Sequence, residues 1–183
     1  VIVPAYNIGP WLGRSLDSLL SQTVPNLEII VVDDGSSDNT AEVIREYAAK
    51  FDKIHPVFKE NGGVTSARLR GVQESTGEWI AFVDGDDYVE PQMYARLLEN
   101  AKSANADISH CGHQVHYADG RVEYVHQSGT IHEQDHRTGL WELLDNRDVS
   151  MSLCTKLYRR KLFEGIEDWM DTTIRNNEDL LMN

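Results

Sequence analysis

Two acidic runs carry the chemistry this sequence can offer, Asp33-Asp34-Gly35-Ser36 and Asp84-Gly85-Asp86-Asp87. Each follows an apolar stretch of strand length, 27–32 and 78–83, and a third such stretch, 1–3, runs into Pro4-Ala5-Tyr6-Asn7. In an open parallel sheet, ligands bind beyond the carboxyl ends of the strands. Asp33, Asp34, Asp84, Asp86 and Asp87 are therefore expected at one sheet edge. Carboxylates crowded within a few ångströms repel one another and raise their own pKa values. A hard divalent cation, Mg²⁺ or Mn²⁺, relieves that repulsion and leaves coordination positions for phosphate oxygens. Alone, Asp-Asp-Gly-Ser reads as a turn and helix cap; its recurrence after a second strand is what points to a site. A calcium loop starting at Asp84 needs an acid and then glycine where Tyr88 and Val89 stand, so that reading fails. Neither Gly-x-x-x-x-Gly-Lys-Ser/Thr nor a Gly-x-Gly-x-x-Gly after the first strand occurs, which disfavours P-loop and dinucleotide-binding proteins.

The elements that must position these residues alternate strand and helix, the pattern of βαβ units around a parallel sheet. Pro10 suits a first helical turn, and Leu12, Leu16, Leu19 and Leu20 recur on one face, predicting a helix over 10–22. The cluster Gly35 to Thr40 starts a second helix with Val43, Ile44, Tyr47, Ala48 and Phe51 inward. A strand over 54–58, the turn Asn61-Gly62-Gly63, a helix over 64–75 and a helix opening at Pro91 follow. Beyond residue 106 the pattern changes. Runs 108–117 and 121–126 flank Ala118-Asp119-Gly120, a hairpin signal; 127–137 is irregular, 138–146 helical and 152–158 a strand. The expectation is an α/β fold with a mixed sheet, its 1–106 half binding the ligand and 107–183 packed on it in one domain.

Composition narrows the classes. With 17 basic and 30 acidic residues among 183, the net charge is −13, which argues against a general nucleic-acid binder. Two cysteines, Cys111 and Cys154, cannot form a disulfide scaffold, and no Asn-x-Ser/Thr occurs, so a reducing cytoplasm is the expected compartment. No apolar run approaches membrane-spanning length. A strand at residue 1 and an acidic helix opening at the end suggest a piece of a longer chain.

At this point the motifs Val3-Pro4-Ala5-Tyr6-Asn7, Val31-Val32-Asp33-Asp34-Gly35-Ser36-Ser37-Asp38, Asn61-Gly62-Gly63, Ala67-Arg68 and Phe82-Val83-Asp84-Gly85-Asp86-Asp87 resemble, in order, the series of the family 2 glycosyltransferases. The resemblance implies a GT-A fold with a Rossmann-like nucleotide-binding half. It also implies inverting transfer of a sugar from a nucleotide diphosphate sugar, UDP-linked, to an acceptor hydroxyl in polysaccharide or cell-surface glycan synthesis. By position, Pro4, Ala5 and Tyr6 line the base pocket and Asp33 meets the uracil edge. Arg68 lies near the diphosphate, Asp84 orients the acidic loop, Asp86 sits at ribose and metal, and Asp87 joins it as metal ligand to Mg²⁺ or Mn²⁺. Where the family commonly has Asn after that arginine, Leu69 stands here.

In the second half, Cys154-Thr155-Lys156-Leu157-Tyr158-Arg159-Arg160 and Asn177-Glu178-Asp179 resemble the family's acceptor-side segments, which makes Asp179 the expected general base. Without the resemblance, Glu178-Asp179 reads equally well as an acidic first helical turn. His110-Cys111-x-His113-x-x-His116 invites a zinc reading, but on one continuous strand these side chains face opposite ways. Lys156, Arg159, Arg160 and Lys161 form a basic patch, read as a solvated face or as contact to an anionic lipid-linked or glycan acceptor at the inner membrane face. Two other functions fit the acidic loops: a nucleotidyltransferase, or a catalytically silent nucleotide-sugar or glycan-binding module.

Overall fold

In the computed structural model, every residue is described except 127, 146, 169, 175–178, 180 and 181. The expected helix opening at 178–183, and Asn177 and Glu178 of the acceptor-side motif, thus fall largely outside the described residues. The first half runs β1 (Ile2–Ala5), α1 (Gly9–Leu20), β2 (Ile29–Asp33), α2 (Thr40–Lys50), β3 (Ile54–Phe58), α3 (Val64–Glu74), β4 (Trp79–Ala81) and α4 (Met93–Ser103). The second half adds β5 (Ile108–His110), β6 (His113–His116), β7 (Val122–Val125), α5 (His136–Asp145) and β8 (Lys156–Arg159), with 3₁₀ turns at Leu153–Thr155, Arg160–Phe163 and Ile166–Asp168.

Strands β1, β2 and β3 are parallel, in register Val3↔Val31↔Pro56. Pro56 has no N–H to give, and it is tolerated because β3 is an edge strand of this sheet. On the other side of β1, a parallel bridge Ile2↔Phe82 and the Val83 N–H to Ile2 O bond (3.0 Å) attach the β4 segment. Strand β8 then pairs antiparallel with both β4 and β5. The spatial order is β3-β2-β1-β4-β8-β5 with β8 alone reversed, the expected mixed sheet. This reversal matters chemically: β8 begins at the edge where β1, β2 and β4 end.

Helix faces follow the sequence periodicity. Leu12, Leu16 and Leu19 of α1 are fully buried with Val3, Val31, Ile44 and Leu97 in the main core. A second core joins the two halves: Ile2, Ile80 and Phe82 pack with Tyr158, Phe163 and Ile166, and the rings of Phe82, Tyr158 and Phe163 meet edge to face with centroids 5.5–6.3 Å apart.

Several expected elements change shape. The strand predicted over 108–117 breaks at Cys111-Gly112, where the Cys111 N–H turns to Thr155 O (3.0 Å). The following segment instead pairs β6 with β7 as a separate hairpin around the expected Asp119-Gly120 turn. The strand predicted over 152–158 begins only at Lys156, because Ser152 caps a 3₁₀ turn by accepting the Cys154 N–H.

Candidate active site

The acidic residues gather where the topology predicts. Asp33 ends β2, buried at 4% exposure, and its Oδ1 accepts the Ser36 N–H at 3.1 Å. Asp34 follows, equally buried, but it serves the neighbouring turn. Its carboxylate accepts Lys59 Nζ (2.5 Å) and the N–H groups of Gly62 (3.0 Å) and Gly63 (2.7 Å). Pro4 and Ala5 are buried at the end of β1 and Tyr6 is half exposed. Beside them Asn7, in the left-handed region at φ 52°, accepts the Ser37 N–H (2.8 Å), while its own N–H meets Ser36 Oγ (3.0 Å). Asparagine tolerates that backbone conformation at low cost, and here it locks the loop after β1 to the loop after β2.

The second acidic loop packs on the first strand. A Cβ on Gly85 would approach Pro4 O to 3.2 Å, so the backbone of the loop lies directly against the end of β1. Asp86 and Asp87 are exposed and Asp84 is half buried. Partial desolvation of its carboxyl within the loop, reinforced by Asp84 and Asp86, pushes Asp87 above its ordinary range, and the charge crowding is what a cation would relieve. The reversed strand brings in a group that the acidic spacing did not suggest. Ligand atoms of Asp84, Asp87 and Cys154 lie within 4.8 Å of one another. Burial pushes the Cys154 thiol strongly up, with Asp84 adding to it, which leaves the two carboxylates as the readily ionised donors of the group. Oxygen donors of this kind fit Mg²⁺ or Mn²⁺. Asp86 lies beside this group without being one of the three.

Arg68 of α3 links the two halves. At 2% exposure its guanidinium donates from Nη2 to Asp84 (3.0 Å) and from Nη1 to Asp179 (2.6 Å), 111 residues away in sequence. Burial works against its charge, yet Asp179 and Asp84 together hold its pKa above the ordinary arginine value. Asp179 also receives the Leu153 N–H at 3.4 Å. The structure thus brings Asp84, Asp87, Arg68 and Asp179 into one connected site, with Asp33 and Tyr6 on the neighbouring strand ends.

Of the basic patch only Lys161 is exposed; Arg159 and Arg160 are partly buried and Lys156 is buried. Lys156 is 2% exposed and donates to the carbonyls of Ser150 and Ser152, and burial pushes its pKa down to about 8 despite the pull of Asp179. Arg159 pairs with Asp107 (3.0 Å) beneath the Trp79 ring, and Arg160 donates to Gly77 O (2.6 Å) and Ser75 Oγ (2.8 Å). Lys161 pairs with Asp107 at 2.8 Å. Side chains of the right type for an anionic surface were already committed to closing the sheet edge. Strands β5 and β6 are separate, so the side-chain alternation expected across 110–116 stops at Cys111. Among the described residues no histidine joins a metal-holding group. No helix among them is long and apolar enough to cross a membrane.

Comparison with known proteins agrees with this geometry. A family model described as glycosyl transferase family 2 matches residues 1–166. The chain is 37% identical over 182 residues to the uncharacterized glycosyltransferase EpsJ of Bacillus subtilis, covering 98% of this chain and 53% of that protein. The chain therefore spans about half the length of that relative. S. aureus TarS 1-349 in complex with UDP-GlcNAc superposes with a TM-score of 0.74 at 24% identity, over 99% of this chain and 50% of that one. The mannosyltransferase PcManGT of Pyrobaculum calidifontis, in complex with GDP-Man and Mn²⁺, superposes with a TM-score of 0.69 at 19% identity, over 97% and 48%. The fold is of the GT-A type, and the chain belongs to glycosyl transferase family 2.

Proposed function

We propose that this chain is the catalytic part of a metal-dependent, inverting glycosyltransferase. It takes a sugar from a nucleotide diphosphate sugar, UDP-linked, and adds it to a hydroxyl of a growing polysaccharide or cell-surface glycan, free or lipid-linked. One observation carries the reading: Arg68 ties Asp84 of the strand-end acidic loop to Asp179 of the second half, so a donor-side group and a candidate base share one site. The nucleotide-sugar complexes of TarS and PcManGT are consistent with such a donor, and the Mn²⁺ of the latter with a cation.

Pro4, Ala5 and Tyr6 line the base pocket, and Asp33 accepts a hydrogen bond from the uracil edge. Asp84 and Asp86 contact the nucleotide, and Asp87, grouped with Asp84, would hold the cation, with Asp86 beside them as a further expected ligand. That cation supplies positive charge to the leaving diphosphate. Arg68, aligned by its two carboxylates, adds a fixed charge on the same side. Asp179 takes the acceptor's proton as the hydroxyl oxygen bonds to the anomeric carbon and the bond to the diphosphate breaks with its electron pair. Attack from the face opposite the leaving group inverts the centre. A base in this role must come within about 3 Å of the hydroxyl and contributes about 10²–10⁴-fold. Exposed rings at Tyr124 and Trp141 offer faces for an acceptor glycan.

Calorimetry with UDP and GDP in the presence of Mn²⁺, followed by nucleotide release from UDP-sugars, tests the reading. UDP is expected to bind, Asp86→Ala to weaken it, and Asp179→Asn to bind normally while losing about 10²–10⁴-fold in turnover. Absence of nucleoside diphosphate binding overturns the proposal. Binding without turnover in the parent chain marks a silent module, pyrophosphate release from a nucleoside triphosphate marks a nucleotidyltransferase, and stabilisation by GDP-sugars alone removes the role given to Asp33.

A further inference from the structure

Lys156 is a buried ammonium to which the proposed chemistry assigns nothing. It opens β8, the reversed strand, and so stands at the edge where the acidic loops converge. Its Nζ donates to the backbone carbonyls of Ser150 and Ser152, the latter at 2.7 Å, and neither partner is a carboxylate. A charged amine kept at 2% exposure loses most of its hydration, and its direct hydrogen bonds go to two backbone carbonyls, with Asp179 favouring its charge from nearby. The carbonyls it ties belong to the turn that enters Leu153–Thr155. That same turn presents the Leu153 N–H to Asp179 Oδ2 (3.4 Å), and its Ser152 carbonyl also accepts Thr155 Oγ1 (3.1 Å).

We propose that Lys156 is a positioning residue for Asp179: by cross-linking the Ser150 and Ser152 carbonyls it fixes the 150–153 turn, and that turn holds one oxygen of Asp179 while Arg68 holds the other. The inference rests on the reading of Asp179 as general base. Two of the contacts that set the carboxylate's direction thus come from different parts of the chain: α3 through Arg68 and the 3₁₀ turn before β8 through Leu153. Losing either loosens the carboxylate's aim at an acceptor hydroxyl, without touching the strand ends where the nucleotide would sit. Near-attack geometry is sensitive at this level, since a displacement of about 1 Å can cost about 10²-fold in rate.

The test compares Lys156→Met and Lys156→Gln with the parent chain by three measurements: UDP binding with Mn²⁺, steady-state UDP release from a UDP-sugar, and amide hydrogen exchange. In Lys156→Met, exchange at Leu153–Thr155 is expected to accelerate. Its kcat should fall at least tenfold, with the donor KM and the UDP affinity within about twofold of the parent. Lys156→Gln keeps a neutral amide donor group on a shorter side chain and should fall between, and it replaces Lys156→Met if the latter does not fold. Unchanged exchange across 150–155, an unchanged kcat in a folded variant, or a KM that rises in step with the loss of kcat each overturns the proposal. A parent chain that binds UDP but releases none from the sugar nucleotide overturns the catalytic reading instead, and the exchange result then judges the anchoring by itself.

Discussion

At the scale of single residues, the acids of this chain divide into those that serve a ligand and those that serve the fold, and only their partners distinguish them. Glu28 shows the second kind: it accepts the Thr76 N–H and Gly77 N–H, both at 2.7 Å, and the Thr76 hydroxyl at 3.0 Å. Partial burial opposes its charge, but these donors win and hold its carboxyl below the ordinary glutamate range. A depressed folded pKa means the stabilisation is fully present above the unfolded value, about 4.3, and is lost as the pH falls through the folded one. Glu28→Gln should therefore cost about 1 kcal/mol at neutral pH after allowing for its exposure, with the difference closing in acid, as denaturant melts across pH would show. Asp34 makes the same point more strongly. Sequence spacing grouped it with Asp33, yet the carboxylate serves Lys59, Gly62 and Gly63, and Asp34→Ala should cost about 1–2 kcal/mol by taking the acceptor from a half-buried ammonium and two backbone amides. Spacing did not bring Lys59 to Asp34 or Cys154 and Lys156 to the acids, because each meets its partners through a turn or a strand reversal, even though Cys154 and Lys156 fall in a segment that resembles the family's acceptor side.

At the scale of elements, what could be read in the sequence was what repeats. Leu12, Leu16 and Leu19 specify α1 and its buried face by period alone, and the Asp119-Gly120 pair specifies the β6–β7 hairpin by turn chemistry. What could not be read was set by partners elsewhere. Strand β5 ends at His110 because the Cys111 amide is captured by Thr155, and β8 starts late because a serine cap takes the preceding turn. Connections can be read where a backbone angle demands a residue type. Gly35 sits at φ +74°, and a Cβ there would lie 2.8 Å from the Asn61 backbone nitrogen. Gly35→Ala must therefore strain its own backbone and push the β2–α2 connection off the 59–63 turn. A loss of about 2 kcal/mol is expected from strain of this kind, together with weaker UDP binding since Asp33 and Asp34 flank the displaced residue. A melting midpoint within a degree of the parent would contradict that account.

At the scale of the whole molecule, charge and packing both cross between residues 1–106 and 107–183, and they do so at the same place. The aromatic trio Phe82, Tyr158 and Phe163 closes the apolar side, and Arg68 closes the polar side with carboxylates from each half, Asp84 before residue 106 and Asp179 after it. In a chain of net charge −13 this arrangement is costly to undo. Removing the guanidinium takes one shared positive charge from two partly exposed carboxylates, which solvent screens in part, so the expected cost is about 1–3 kcal/mol. Arg68→Met should therefore lose stability on that order and should unfold less cooperatively, with the second half exchanging its amides first. The penalty arises from uncompensated negative charge, so it should be partly repaid by Asp84→Asn in the same chain, giving a double-mutant coupling of at least about 1 kcal/mol. Mn²⁺ should stabilise Arg68→Met more than the parent if the cation binds beside Asp84, because it then replaces part of the missing positive charge. Additive losses in the double variant, with equal stabilisation of parent and Arg68→Met by Mn²⁺, would show that the two halves are held together by their apolar contact alone.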